Sequence, residues 1–165
     1  VDKAGSYFAK AAALDPKNSA TRTSLALVNL AKGDSDLAFR DLEQVAAADT
    51  GIRADLALIT AHLQRREFDQ ALKSIAALEK KQPDNPLTYN LRGTALLGKR
   101  DAAAARKSFE KALALNPGLL DAKEGLRRAQ RESGGGGGGG GDRPPKVERA
   151  TEFTGGGRAL KPGEW

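Results

Sequence analysis

An alanine followed four residues later by a large apolar side chain occurs at Ala4/Phe8, Ala38/Leu42, Ala71/Ile75 and Ala105/Phe109, so the alanines fall 34, 33 and 34 residues apart. The helix-stopping positions keep the same beat at Pro16, Thr50, Pro83 and Pro117. A period of this length means that each unit is one supersecondary element, too small to bury its own apolar face, which must stack on the next. Within each unit the apolar residues recur at three- and four-residue spacing, the mark of amphipathic helices. The spacing therefore predicts an all-α chain built by stacking, with no single central core.

Taken in order, residues 1–15 read as the second helix of a unit, with Ala4, Phe8, Ala11 and Leu14 on one face. Asp15-Pro16-Lys17-Asn18 breaks it. The first complete unit starts near Ser19, carries Leu25, Ala26 and Leu30 on one helix, turns at Gly33-Asp34, and carries Leu37, Ala38, Leu42 and Val45 on the other. Gly33 suits the left-handed conformation of a helix stop, and Asp34, Ser35 and Asp36 offer a cap for the helix that follows. The second unit runs from about Gly51 to Gln82, turning at Arg66-Glu67 without glycine, with Leu56, Leu58, Ile59 and Leu63 before the turn and Phe68, Ala71, Leu72, Ile75 and Leu78 after it. The third, Leu87 to Asn116, places Tyr89, Gly93, Leu96, Ala105, Phe109 and Ala112 at the packing positions, and Pro86 suits the first position of its first helix. Arg92 stands where a hydrophobe is expected, with Leu91 beside it to take over the contact. Leu119 to Glu132 reads as a final polar helix that caps the last apolar face.

A period near 34 with Ala-x3-Phe and a closing Pro resembles the tetratricopeptide repeat (TPR), a helix-turn-helix unit. The implied fold is a TPR superhelix, an α-solenoid of about three repeats with a leading half-repeat and a capping helix over residues 1–133. The segments Arg53-Ala54-Asp55-Leu56-Ala57-Leu58-Ile59-Thr60-Ala61-His62-Leu63, Arg66 to Leu72, Leu78 to Pro86 and Asn90-Leu91-Arg92-Gly93 further resemble the bacterial TPR lipoproteins of the PEP-CTERM/exosortase system. That resemblance implies a role beside exopolysaccharide biosynthesis and export, and a periplasmic, membrane-anchored parent in a Gram-negative bacterium. It brings no catalytic residue and no cofactor.

Composition closes several routes. The chain has no cysteine and one histidine, His62, so no thiolate or multi-histidine metal site is available. His62 stands where an aromatic packs between helices and is expected to do the same. The net charge of +6 is uneven: residues 1–60 hold seven Lys/Arg against eight Asp/Glu, and residues 61–133 fifteen against nine. The basic charges are scattered and no stacking aromatics lie between them, so nucleic acid is not the expected partner. No apolar run approaches the length of a membrane span, so this stretch is expected to make no direct membrane contact. The absence of any methionine, with a start inside a helix, leads to the expectation that the chain is cut from a longer protein.

The remaining chemistry is thin. Asp34/Asp36 and Asp15/Asp49 lie at turns and helix starts, where capping accounts for them. Thr154 to Lys161 has a glycine-rich loop but lacks the spacing of a phosphate-binding loop and ends at Pro162. No nucleophile, base and orienting group fall together, so the chain reads as a binding scaffold and not an enzyme. In a TPR superhelix the first helices line the concave groove. The phase of the repeat alanines puts Ala20, Thr23, Leu27 and Leu30 there from the first unit, Arg53, Leu56, Thr60, Leu63 and Gln64 from the second, and Leu87, Asn90, Thr94 and Leu97 from the third. Packing against neighbouring helices is the alternative use of Leu27 and Leu56. The groove offers apolar surface with hydrogen-bonding groups, which suits an extended peptide. TPR domains that capture an acidic C-terminal motif use a full Lys, Asn and Arg set, and Arg53 with Asn90 does not complete one.

After Ser133 come eight glycines, Gly134 to Gly141, then a 24-residue basic Pro/Gly-rich tail from Asp142 to Trp165. The glycine tract is expected to be an engineered linker spanning roughly 16 Å. The tail is expected to be a peptide ligand fused to the repeats, docking on its own or a neighbouring chain, with Phe153 and Trp165 as anchors. The competing expectation is a structural spacer or self-assembling solenoid, with no peptide ligand.

Overall fold

The structure, a computed structural model, describes residues 2–135. Among them are eight helices and no strand: α1 (Asp2–Leu14), α2 (Ser19–Lys32), α3 (Ser35–Ala48), α4 (Arg53–Gln64), α5 (Phe68–Lys81), α6 (Pro86–Gly98), α7 (Ala102–Leu115) and α8 (Leu120–Gly135). Each helix packs on the next in sequence, and in addition α2 lies against α4 and α6 against α8. This is the expected α-solenoid, with α1 as the leading half-unit, three helix pairs, and α8 over the end. Helix α8 continues through Gly134 and Gly135, the first two glycines of the tract.

Local chemistry sets the boundaries. Asn18 Oδ1 accepts from Thr21 N at 3.0 Å to start α2, Asn85 Oδ1 from Leu87 N at 2.9 Å to start α6, and Asp101 Oδ1 from Ala104 N at 3.0 Å to start α7. These satisfy amide donors that have no partner inside a helix. Pro86 opens α6 as its first residue, as expected. Asp34 does not follow this pattern: it occupies the cap position of α3 but its side chain makes no capping bond. Instead the Asp34 amide donates to Asn29 O at 3.0 Å, closing the preceding helix. The three turns within the units each contain one left-handed residue: Gly33 (φ 99°), Arg66 (φ 61°) and Arg100 (φ 65°). Only the first is glycine.

The repeat alanines Ala38, Ala71 and Ala105 are fully buried, as are Leu42, Ile75 and Phe109 four residues on. They feed separate clusters along the array. Ala26, Ala38, Leu42 and Leu58 join the first unit to the second; Ile59, Ala71, Ile75, Leu78 and Ala95 join the second to the third; Phe109, Ala112, Ala122 and Ala129, with others, join the third to α8. Helix α1 differs: Ala4 and Leu14 are exposed, and only Phe8 and Ala11 of its apolar face are half-buried. Leu37 is also exposed, one position off the buried face of α3.

Phe109 is 1% exposed and wedged between two glycines. A Cβ added to Gly93 of α6 would fall 2.6 Å from its ring, and one added to Gly125 of α8 would fall 2.4 Å from it. Arg92, the misfit in the repeat pattern, forms an ion pair with Glu79 of α5 and lies over the Tyr89 ring at 5.5 Å. Tyr89 Oη donates to Glu79 Oε1 at 3.0 Å and lies 2.8 Å from Pro83 O. Leu91 takes the core contact, packing on the cluster of Ile59 and Ile75.

A deeper tie was invisible in the sequence. Asp55 is 3% exposed, and its Oδ2 lies 2.7 Å from Lys81 Nζ, which also donates to Ala46 O of the preceding unit. A buried carboxylate is tolerable only when paired in this way.

Two outcomes follow from this packing. Gly93→Ala is expected to destabilise the fold by about 1–3 kcal/mol, because the ring it displaces has Gly125 behind it and nowhere to go; urea denaturation followed by circular dichroism measures this. The Arg92 hydrogen bond holds the Glu79 carboxyl below the usual range, with the bond from Tyr89 adding to it. A depressed carboxylate contributes stability at pH values above its unfolded pKa, and that contribution disappears as pH falls through the folded value. Glu79→Gln is therefore expected to be less stable than the parent at pH 7 and to lose less on going from pH 5 to pH 3.

Candidate functional site

Side by side, α2 and α4 form an open cleft of about 470 Å³, lined by Leu27, Leu30, Ala31, Leu56, Ala57, Thr60, Ala61 and Gln64. Five of the expected groove residues meet here: Leu27, Leu30, Leu56, Thr60 and Gln64. Leu27 is 41% exposed, a large apolar side chain presented at the cleft rather than absorbed by packing. Leu30 and Leu56 do both jobs, lining the cleft on one side and packing on core clusters on the other. Ala31, Ala57 and Ala61 were not anticipated; their small side chains keep the floor low between the leucines. None of the lining residues carries a titratable group.

The other expected groove residues lie elsewhere. Thr23 is 1% exposed, with its hydroxyl donating to Ser19 O at 2.7 Å, so it is a helix-interior residue and not a lining one. Leu97 is also corrected: it is buried in the Phe109 cluster, because the last turn of α6 is covered by neighbours. Leu63 is half-buried against the cluster of Ile59. Ala20 is exposed, Leu87 is half-buried, and Arg53 extends its Nη2 to within 3.4 Å of Ser24 Oγ. Thr94 is exposed, with its hydroxyl donating to Asn90 O at 3.0 Å.

Asn90 is buried, and its side-chain amide makes no hydrogen bond to any described residue; its Oδ1 is sealed from solvent without a donor. Leaving such a group unpaired costs about 1–3 kcal/mol. His62 has the packing role expected of it: its ring stacks on Phe39 of α3 at 4.6 Å and 17°. Its other contact, Nδ1 to Glu67 Oε2 at 2.8 Å, has no signal in the sequence and holds the Glu67 carboxyl below its ordinary range. Asp15 and Asp49 accept from the backbone amides of Lys17 and Gly51, which are turn contacts. Among the described residues no group of acids and histidines is arranged to hold a metal ion, and no helix is long and apolar enough to cross a membrane. Phe153, Trp165 and the Thr154–Lys161 loop lie outside the described residues.

With this geometry in place, residues 56–119 match the family described as the tetratricopeptide repeat. No curated protein matches the chain. Solved structures share the fold at low identity. A MamA crystal structure is 21% identical with a TM-score of 0.66, over 81% of this chain and 73% of that one. A TPR protein from Parabacteroides merdae is 18% identical at 0.68, over 79% and 53%. The first TPR domain of Spaghetti (RPAP3), solved bound to the HSP90 peptide SRMEEVD, is 18% identical at 0.62, over 73% and 96%. The chain folds as a TPR α-solenoid, the architecture that those proteins share.

The orphaned amide gives a direct test of whether this stretch of α6 is optimised for stability. Asn90→Leu is expected to raise stability by about 1 kcal/mol, since it removes an unpaired buried acceptor and adds apolar contact. The shift in thermal midpoint measures it.

Proposed function

We propose that this chain is a peptide-binding scaffold whose ligand lies extended along the α2/α4 cleft, with an apolar side chain against Leu27, Leu30 and Leu56. Thr60 and Gln64 are the hydrogen-bond partners for its backbone. The observation that carries this reading is the convergence of five groove residues on one open cleft, with Leu27 left exposed in it. The peptide bound to the Spaghetti domain supports it by fold alone. Its acidic residues have no counterpart need here, because the cleft lining holds no lysine or arginine. An uncharged or mildly basic ligand with aromatic anchors suits this surface better.

The segment 142–165 meets that description, with Phe153 and Trp165 as anchors and residues 134–141 as the tether; linkage of this kind populates even a weak complex. On the resemblance to exosortase-system lipoproteins, our reading of the parent is an adaptor in exopolysaccharide biosynthesis or export, anchored to a membrane and facing the periplasm. A second reading, a spacer or self-assembling solenoid, draws on a different observation: Tyr7 and Leu14 of α1 are 71% and 88% exposed.

Calorimetric titration of a free 142–165 peptide into residues 1–135 separates the two. Saturable binding is expected, weakened roughly tenfold or more by Phe153→Ala with Trp165→Ala, and by Leu27→Gln on the scaffold. No heat at near-millimolar peptide leaves the spacer.

A further inference from the structure

The turns inside the units carry a feature that neither packing nor the peptide cleft uses. At the left-handed position the first unit has Gly33, while the second and third have Arg66 and Arg100. A residue with a Cβ is disfavoured there, and glycine is the relaxed choice. Their backbone amides donate to Leu63 O and Leu97 O, but neither guanidinium group has an ion-pair or hydrogen-bond partner among the described residues; Glu67, next to Arg66, is taken by Arg65 and His62, and Asp69 by Lys99. Both arginines line one cleft of about 450 Å³, which α8 closes with Arg128, Glu132 and Gly135, over a floor of Leu97, Gly98 and Ala102. Glu132 is occupied by Arg128, their Oε1 and Nε 2.9 Å apart. The cleft thus holds three guanidinium groups against one carboxylate.

We propose that this cleft binds a small anion bearing two or more phosphate or carboxylate groups, gripped by Arg66 and Arg100 with Arg128 at the third side. Guanidinium groups present paired donors in a plane that matches such oxygens. The closed side and the volume favour a small ligand. The site is separate from the α2/α4 cleft, so it stands or falls independently of the peptide reading.

The glycine at the equivalent position of the first unit supplies a clean variant. Arg66→Gly with Arg100→Gly removes both donors while easing the backbone, so its thermal midpoint is expected to equal or exceed that of the parent. Calorimetry on the full chain with sodium pyrophosphate and with sodium citrate at low ionic strength is expected to show saturable binding of at least one, weakened tenfold or more in the double glycine variant. Arg66→Lys with Arg100→Lys is expected to fall between, since charge is kept and paired donation is lost. Binding of pyrophosphate alone assigns phosphate groups, and binding of both assigns polyanionic oxygen generally. The proposal is overturned if neither anion binds at millimolar concentration, if the glycine variant binds as the parent does, or if a DNA duplex binds more tightly than either anion through the same arginines.

Discussion

The close approach of helices at Phe109 is the constraint on which the end of the array depends. A benzyl ring fills the space between α6, α7 and α8 only because Gly93 and Gly125 leave room for it. Remove the ring and two helices lose their common contact; add a methyl group on either side and the ring must move. The same relation recurs at Gly98, where an added Cβ would fall 2.2 Å from the Phe68 ring. In the first two units the partner is aliphatic, Leu42 or Ile75, and the opposing position is Ala26 or Ile59. The first and third units therefore set small against large, Ala26 with Leu42 and Gly93 with Phe109, while the second sets Ile59 beside Ile75, so what the units share is a filled space and not a fixed pair of residues.

That constraint explains what the sequence revealed. Alanine and its large partner at constant spacing located the buried face of α3, α5 and α7, and the arithmetic of 33 and 34 residues carried it from unit to unit. Where local chemistry competes with the pattern, the reading slipped. Arg92 looked like a defect until Glu79 and Tyr89 supplied its surroundings, and Asp34 looked like a cap when its backbone amide was already engaged in closing α2. Contacts between units left no periodic trace. Asp55 and Lys81, or Phe39 and His62, meet because of how one pair stacks on another, and no spacing along the chain announces it.

The exposed surface of the first helices was legible only in part for a related reason. Helical phase predicts which side of a helix a residue is on, and Leu27, Leu56 and Thr60 line one cleft. It does not say how closely a neighbour covers that side at a given height. Near the end of α6 the neighbours leave only 6% of Leu97 exposed, so it joins a core; at Thr23 a local bond to the backbone satisfies the hydroxyl within its own helix. Arg66 and Arg100 were unreadable from propensity, which puts glycine or asparagine at a left-handed stop. Only backbone geometry shows that two arginines hold it instead.

Because each core cluster spans one junction and none reaches across two, the solenoid has the mechanics of a coil spring. Its curvature is the accumulated rotation of its joints, and each joint turns against its own cluster alone. A ligand seated across α2 and α4 grips one joint and sets the angle there, leaving the others to follow their own packing.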